Sequence, residues 1–172
     1  MENISKHISY KEATRSSKAK KNGIENKPTL FQLQNMKMVA EKCFEPARIF
    51  YKKPMFISSF LRGKALNAIT KGASLTSQHC QGESTKIEEG AIDIDMDVFD
   101  NGWTNNDLFN WFKDPINGIE FDQLIFEYPD KNGKASWVHI SYRKGANRRM
   151  LLVAHVIDGK TKYSSYNDWK NK

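Results

Sequence analysis

An α+β domain, with helices packed on a small antiparallel sheet, is the fold class this sequence predicts. Three observations carry that expectation. Apolar residues recur at helical spacing in the first half of the chain, strand-like runs crowd the second half, and no strand–helix–strand alternation of the kind a parallel sheet needs runs through it. With 172 residues, 39% of them hydrophobic and 12% aromatic, the chain can bury one core, so residues 1–172 are expected to form one domain.

The elements follow in order. A basic N-terminal segment, residues 1–27, is polar from Ser9 to Asn26 apart from Ala13, Ala19 and Ile24, and is expected to hold a short helix that Gly23 ends. After Pro28, Thr29 and Gln32 have the spacing of a capping box, in which hydroxyl and amide satisfy the free backbone donors of a helix start. Leu33, Met36, Val39, Ala40, Cys43 and Phe44 then form one apolar stripe, and Pro46 is expected to stop the helix because it has no N–H to give.

Met55 to Ser58 reads as a buried strand, and Ala65, Leu66 and Ile69 as a helical turn closed at Gly72. From Ala91 to Val98 apolar and acidic residues alternate, the signature of a strand with one face in water. Thr104 and Asp107 cap a helix that turns Leu108, Trp111 and Phe112 inward. Three strands are expected at Phe121 to Tyr128, Ala135 to Tyr142 and Met150 to Ile157, parted by turn-rich stretches. Residues 164–172, polar apart from Tyr166 and Trp169, are expected to be a loosely docked tail.

Composition narrows the function classes. A surplus of 27 Lys and Arg over 20 Asp and Glu, a formal charge of +7, predicts attraction to polyanions. Cys43 and Cys80 are too few for a disulfide framework or a cysteine zinc cluster and are expected to be reduced thiols. Neither a signal-peptide stretch nor an apolar run long enough to span a membrane is present, so synthesis in the cytoplasm is expected. Lys18, Lys20 and Lys21 read as a solvated basic face, and Asp93, Asp95 and Asp97 match a calcium loop only by spacing, since the apolar residues between them fit a strand.

Of the four histidines, His79 follows a turn and His139 stands in the middle of an apolar strand. The runs Ile57 to Arg62, Leu66-Asn67, Ser77-Gln78-His79 with Gly82, Gln123 to Glu127, Trp137 to Ser141 and Asn147-Arg148 together resemble the zinc D-alanyl-D-alanine carboxypeptidase family, which includes phage endolysins. That resemblance covers about Tyr10 to Val156. It implies a zinc held by a histidine, an aspartate seven positions later and a second histidine, with water in the open position. His79 and His139 match the histidines, Arg62 matches the arginine that steadies the substrate, and Glu127 is the carboxylate that could act as general base.

The match departs from the family at three places. Seven positions after His79 stands Lys86, whose ammonium has no lone pair for a metal. Ser136 occupies the position three before His139 where an acid is expected, and bulky Phe60 sits in the substrate loop. Glu83, Glu88, Glu89 or Asp93 would have to supply a substitute carboxylate. The sequence thus predicts a retired, zinc-free peptidase fold, made in a phage host's cytoplasm and serving as a structural or binding module with other virion proteins or peptidoglycan as partners. The alternative is an active zinc peptidase, of endolysin type, cutting cell-wall stem peptides.

Overall fold

The structure, a computed structural model, describes residues 3–171. It is an α+β fold built on a six-stranded, mostly antiparallel sheet. The N-terminal segment forms not one helix but two single turns, α1 (Tyr10–Thr14) and α2 (Ser17–Lys21), each capped by a serine, Ser9 and Ser16. Gly23 follows α2 with φ +63°, the left-handed geometry expected of it. Each turn drops one alanine, Ala13 or Ala19, into the interior, while Lys18, Lys20 and Lys21 stay exposed.

Helix α3 (Leu30–Val39) starts at the Thr29–Gln32 capping box. It does not stop at Pro46. A π-helical turn over Ala40–Phe44 passes directly into α4 (Glu45–Tyr51), and the Glu45 N–H reaches back five residues to the Ala40 carbonyl. Widening the helix by one residue lets Pro46 enter the next helix at its first turn, where its missing N–H costs nothing. Cys43 and Phe44 are thereby turned fully into the core.

The sheet follows as β1 (Phe56–Ser59), β2 (Glu89–Asp95), β3 (Gln123–Glu127), β4 (Trp137–Arg143), β5 (Met150–Ile157) and β6 (Lys160–Ser165), in the spatial order β1-β2-β4-β3-β5-β6. All neighbours are antiparallel except β3 and β5, which run parallel. Helix α5 (Lys64–Ala68) lies between β1 and β2, α6 (Asn105–Lys113) between β2 and β3, and α7 (Tyr166–Lys170) closes the described chain.

Period-two alternation divides the sheet into two faces. Ile92, Ile94, Leu124, Phe126, Val138, Ile140 and Val153 point into one core with Met36, Phe44, Phe109 and Phe112. The other face bears Asp93, His139, Ile125 and Leu152 as one cross-strand row, and Trp137, Glu127, Ala154 and Tyr163 as the next. The acidic side of β2 is therefore not a water-facing one. Asp93 is 8% exposed, at the floor of a cleft.

The tail is also more firmly held than expected. Tyr166 is buried and packs on Phe109 at 4.5 Å and on Trp169 at 5.8 Å between ring centroids. Polar residues alternating with few apolar ones hid both β6 and α7, because their anchoring contacts are long-range; Lys172 lies outside the described residues. Tyr166→Ala is expected to cost about 3 kcal/mol of unfolding free energy, measured by denaturant titration, as a large aromatic leaves a packed site.

Among the described residues no helix is long and apolar enough to cross a membrane. Cys43 and Cys80 are both free and buried. Burial pushes the Cys43 thiol far up, so it is inert.

Candidate metal centre

The site begins on α3. Two buried amides, Gln32 and Asn35, project from it and donate to the carbonyls of Cys80 (3.1 Å) and Gln81 (2.9 Å). They anchor the short 3₁₀ turn Gln78–Cys80 that carries His79. Gln81 completes the anchor by donating to Phe60 O and Ala91 O, which ties this turn to β1 and β2. Gly82 (φ +73°) and Gly90 are glycines by necessity, since a Cβ at either would run into the Ile87 carbonyl or the Gln81 side chain.

Three side chains converge from this scaffold. His79 Nε2 lies 3.1 Å from Asp93 Oδ2 and 3.2 Å from His139 Nδ1, and His139 Nδ1 lies 2.8 Å from Asp93 Oδ1. All three residues are buried, and they are the group among the described residues whose ligand atoms could hold a metal ion. Asp93 and His139 are directly opposed in the β2–β4 register, which fixes their pairing by backbone geometry.

One polar atom of this cluster, His139 Nε2, is buried with no hydrogen-bond partner among the described residues. His79 Nδ1 faces the Phe60 carbonyl at 3.1 Å, so it carries the ring's proton and donates it. Burial lowers the affinity of this imidazole for a second proton. With the Nδ1 proton alone, His79 turns its Nε2 lone pair toward both the Asp93 carboxylate and His139 Nδ1. Burial works against the charge on Asp93, but positive charge on the imidazoles beside it holds its carboxyl well below the usual carboxylate range, so it is ionised when a cation stands next to it. The contact at 3.1 Å therefore calls for a cation, either a proton on Nε2 or a metal ion in its place. A tetrahedral zinc with ligands at about 2.0–2.2 Å sets donor atoms roughly 3.3–3.5 Å apart, so the three ligands need open by only a few tenths of an ångström. The carbonyl behind His79 is the outer partner that orients a zinc histidine. The donor set fits zinc.

A cleft of about 700 Å³ opens above the cluster. Glu127 lies in it, 6% exposed, two residues along β3 from Ile125, the residue opposite His139. Burial raises its carboxyl to about 7, with the nearby Asp93 charge adding to the effect and His139 and Arg62 opposing it. Arg62 enters from the loop after β1, where its N–H donates to the His79 carbonyl at 2.9 Å and Asn26 braces Leu61 and Gly63 on either side. Its guanidinium lines the cleft with no hydrogen bond or ion pair among the described residues. Arg143 and Arg148, at the far end, are engaged by the buried Glu89 and Asp122.

Four of the residues singled out from sequence, His79, His139, Arg62 and Glu127, thus share one cleft. Lys86 does not. It is exposed on a left-handed turn (φ +62°), and the carboxylate beside the histidines is Asp93, fourteen positions after His79. The connection from His79 to β2 is simply longer than the resemblance implied, so counting seven residues stopped in the turn. Ser136 is exposed and donates to the Tyr128 carbonyl at 3.0 Å. Phe60 is in the core at 1% exposure, offering only its carbonyl to His79 and Gln81, and blocks nothing. Lys86→Ala is accordingly expected to leave zinc affinity within about twofold, measured by competition with a chromophoric chelator, because the ammonium lies outside the donor set.

Asp93 was visible as one of several substitute carboxylates. The signal that singles it out is the β2 alternation, which puts it on the same face as the central histidine of a neighbouring strand.

A family model for peptidase M15 matches residues 6–106, which hold Arg62, His79 and Asp93. The chain belongs to the peptidase M15 family, whose members are zinc peptidases of the D-alanyl-D-alanine carboxypeptidase kind. No curated protein and no solved structure matches it significantly.

Proposed function

We propose that this chain is a working zinc peptidase that hydrolyses short peptides of the bacterial cell wall, with His79, Asp93 and His139 as metal ligands, Glu127 as general base and Arg62 as substrate anchor. The observation that carries this reading is the convergence of two imidazole donors and one carboxylate beneath an open cleft. Zinc, when bound, would lower the pKa of a coordinated water to about 7 and polarise the scissile carbonyl.

The chain's own residues do the rest. Glu127 takes the proton of the attacking water as its oxygen adds to the carbonyl carbon, then passes that proton to the departing amine as the C–N bond breaks. A carboxyl raised toward 7 suits both halves of that exchange. Arg62, with its donor fork uncommitted, binds the carbonyl oxygen or a substrate carboxylate. The formal charge of +7 supports attraction to the anionic polymers of a cell wall.

The contrary reading, a retired module carried in a virion, drew its support from Lys86, Ser136 and Phe60; none of the three lines the cleft, and Phe60 meets the cluster only through its backbone carbonyl on His79. No feature of the site favours it. The test is hydrolysis of purified stem peptides by zinc-loaded protein, followed by product mass. Cleavage that a chelator abolishes and zinc restores supports the proposal. A zinc-loaded, folded protein with no cleavage of any stem peptide overturns it.

A further inference from the structure

The cleft has a far end, built on the same sheet face as the metal cluster. On β4, Arg143 stands four residues beyond His139, and on β2, Glu89 stands four residues before Asp93; Arg143 and Glu89 face each other in the β2–β4 register. An even spacing keeps side chains on one face of a sheet, and four residues of strand span about 13 Å. Arg148, from the link between β4 and β5, lines this end as well.

Both guanidiniums are held from behind by buried carboxylates. Arg148 Nε and Nη2 donate to the two oxygens of Asp122 at 2.7 and 2.6 Å, and Arg143 Nε donates to Glu89 at 3.2 Å. Asp122 and Glu89 are buried and are fixed in turn, the first by Gln78 and the second by Thr85. The arginines themselves are half open, with side-chain exposures of 32% for Arg143 and 48% for Arg148. Nη1 and Nη2 of Arg143 and Nη1 of Arg148 donate to no group among the described residues.

We infer that Arg143 and Arg148 form an anion subsite at the far end of the cleft, which takes a carboxylate that the peptide substrate carries roughly four residues from the scissile bond. The inference rests on the peptidase reading above and adds to it which peptides bind best. Three features support it. First, the buried carboxylates lock the guanidiniums while leaving outward N–H groups free, so little side-chain freedom remains to be lost when a ligand binds. The free Nη1 and Nη2 of Arg143 are a donor pair that a carboxylate accepts with both oxygens. Second, an arriving anion meets the cations and not the acids. Of the acidic residues lining the cleft, Asp93 and Glu127 belong to the metal end, and Glu89 is covered. Third, Ala91 and Ser141 face each other in the row between the two ends, so neither β2 nor β4 raises a long side chain across the path. The distant carboxylate is a different group from the one at the reacting bond, which Arg62 meets.

The experiment titrates two forms of a stem pentapeptide against zinc-loaded Glu127→Gln protein. One form has a γ-linked glutamate with its α-carboxylate free, and the other has that carboxylate amidated. The free form is expected to bind about fivefold or more tightly, as a charge-assisted bond at a half-open site should give. A smaller preference, or no binding of either form, overturns the inference. The titration is repeated with Glu89→Gln and Arg143→Gln added together, so that no buried carboxylate is left without its partner. A preference reduced by about threefold or more, with unchanged zinc content and circular dichroism, supports the subsite. A smaller reduction assigns the preference to another cation and overturns it. If that protein does not fold, Arg143→Lys, which leaves Glu89 a cation but removes the fork, is judged by the same threshold. The peptidase reading is tested apart, by hydrolysis with Glu127 in place: a preference carried by Arg143 in a protein that cuts no stem peptide sinks that reading and leaves the anion subsite standing.

Discussion

Asp93→Ala is expected to weaken zinc binding by more than about 100-fold, beyond the 10–100-fold that loss of an outer partner of a metal ligand costs, and to abolish hydrolysis. The expectation follows from the cluster's charge balance. Imidazole ligands bring no negative charge to a dication, and Asp93 is the carboxylate within reach of both histidines. Its position leaves no easy substitute: Glu89 is engaged by Arg143 and Thr85, and Glu88 by Lys144. Asp93→Asn separates charge from shape. It preserves the outline and one acceptor oxygen, so the fold should survive, but the neutral amide should still lose most of the metal. Both variants are read by zinc content after dialysis and by competition with a chromophoric chelator. Retention of full zinc by Asp93→Ala would remove Asp93 from the donor set.

Glu127→Gln is expected to keep zinc and lose about 10²–10⁴-fold in kcat, the usual contribution of a positioned general base. An amide of the same shape cannot take the proton. The pH profile gives a second readout. Activity needs the ionised carboxylate, so kcat/KM should rise with pH along an acid limb. In the metal-free chain burial holds this carboxyl at about 7, against an ordinary value of 4.5. A dication close by favours the charged form, so the limb of the loaded enzyme should fall between those two values.

The same shift has a sign in stability. A carboxyl whose folded pKa is raised favours the fold while it stays protonated. That contribution is full below 4.5, is lost as pH rises to about 7, and is absent above. Metal-free Glu127→Gln should therefore melt higher than the metal-free parent at pH 8 and lose that advantage near pH 4. A variant that kept full activity, or that lost its zinc, would exclude Glu127 as the base.

Much of the fold was legible from local rules. Thr29–Gln32 and Thr104–Asp107 are capping boxes with both reciprocal bonds formed, and the strand read at Met150 to Ile157 coincides with β5. What escaped was decided by longer-range physics. The π-turn at Ala40–Phe44 overrides the stop signal of Pro46, because carrying Phe44 into the core outweighs one irregular turn. β6 and α7 have unremarkable sequences and exist because β5 offers an edge and Phe109 and Phe126 offer an aromatic floor.

The site divides in the same way. His79, His139, Arg62 and Glu127 were legible as residue types in a familiar order, but the carboxylate that stands beside the histidines was sought at a fixed spacing. Spacing along the chain is a poor measure across a loop, and register across a sheet is a good one. Asp93 faces His139 because β2 and β4 pair there, whatever the length of the turn that precedes them.

The most direct test of an intact metal centre is the zinc content of the purified chain beside its Lys86→Ala and Asp93→Ala variants, each dialysed against the same metal buffer. The account predicts one zinc per chain for the parent, the same for Lys86→Ala, and close to none for Asp93→Ala. A folded parent protein that holds no zinc at any concentration tested would contradict it.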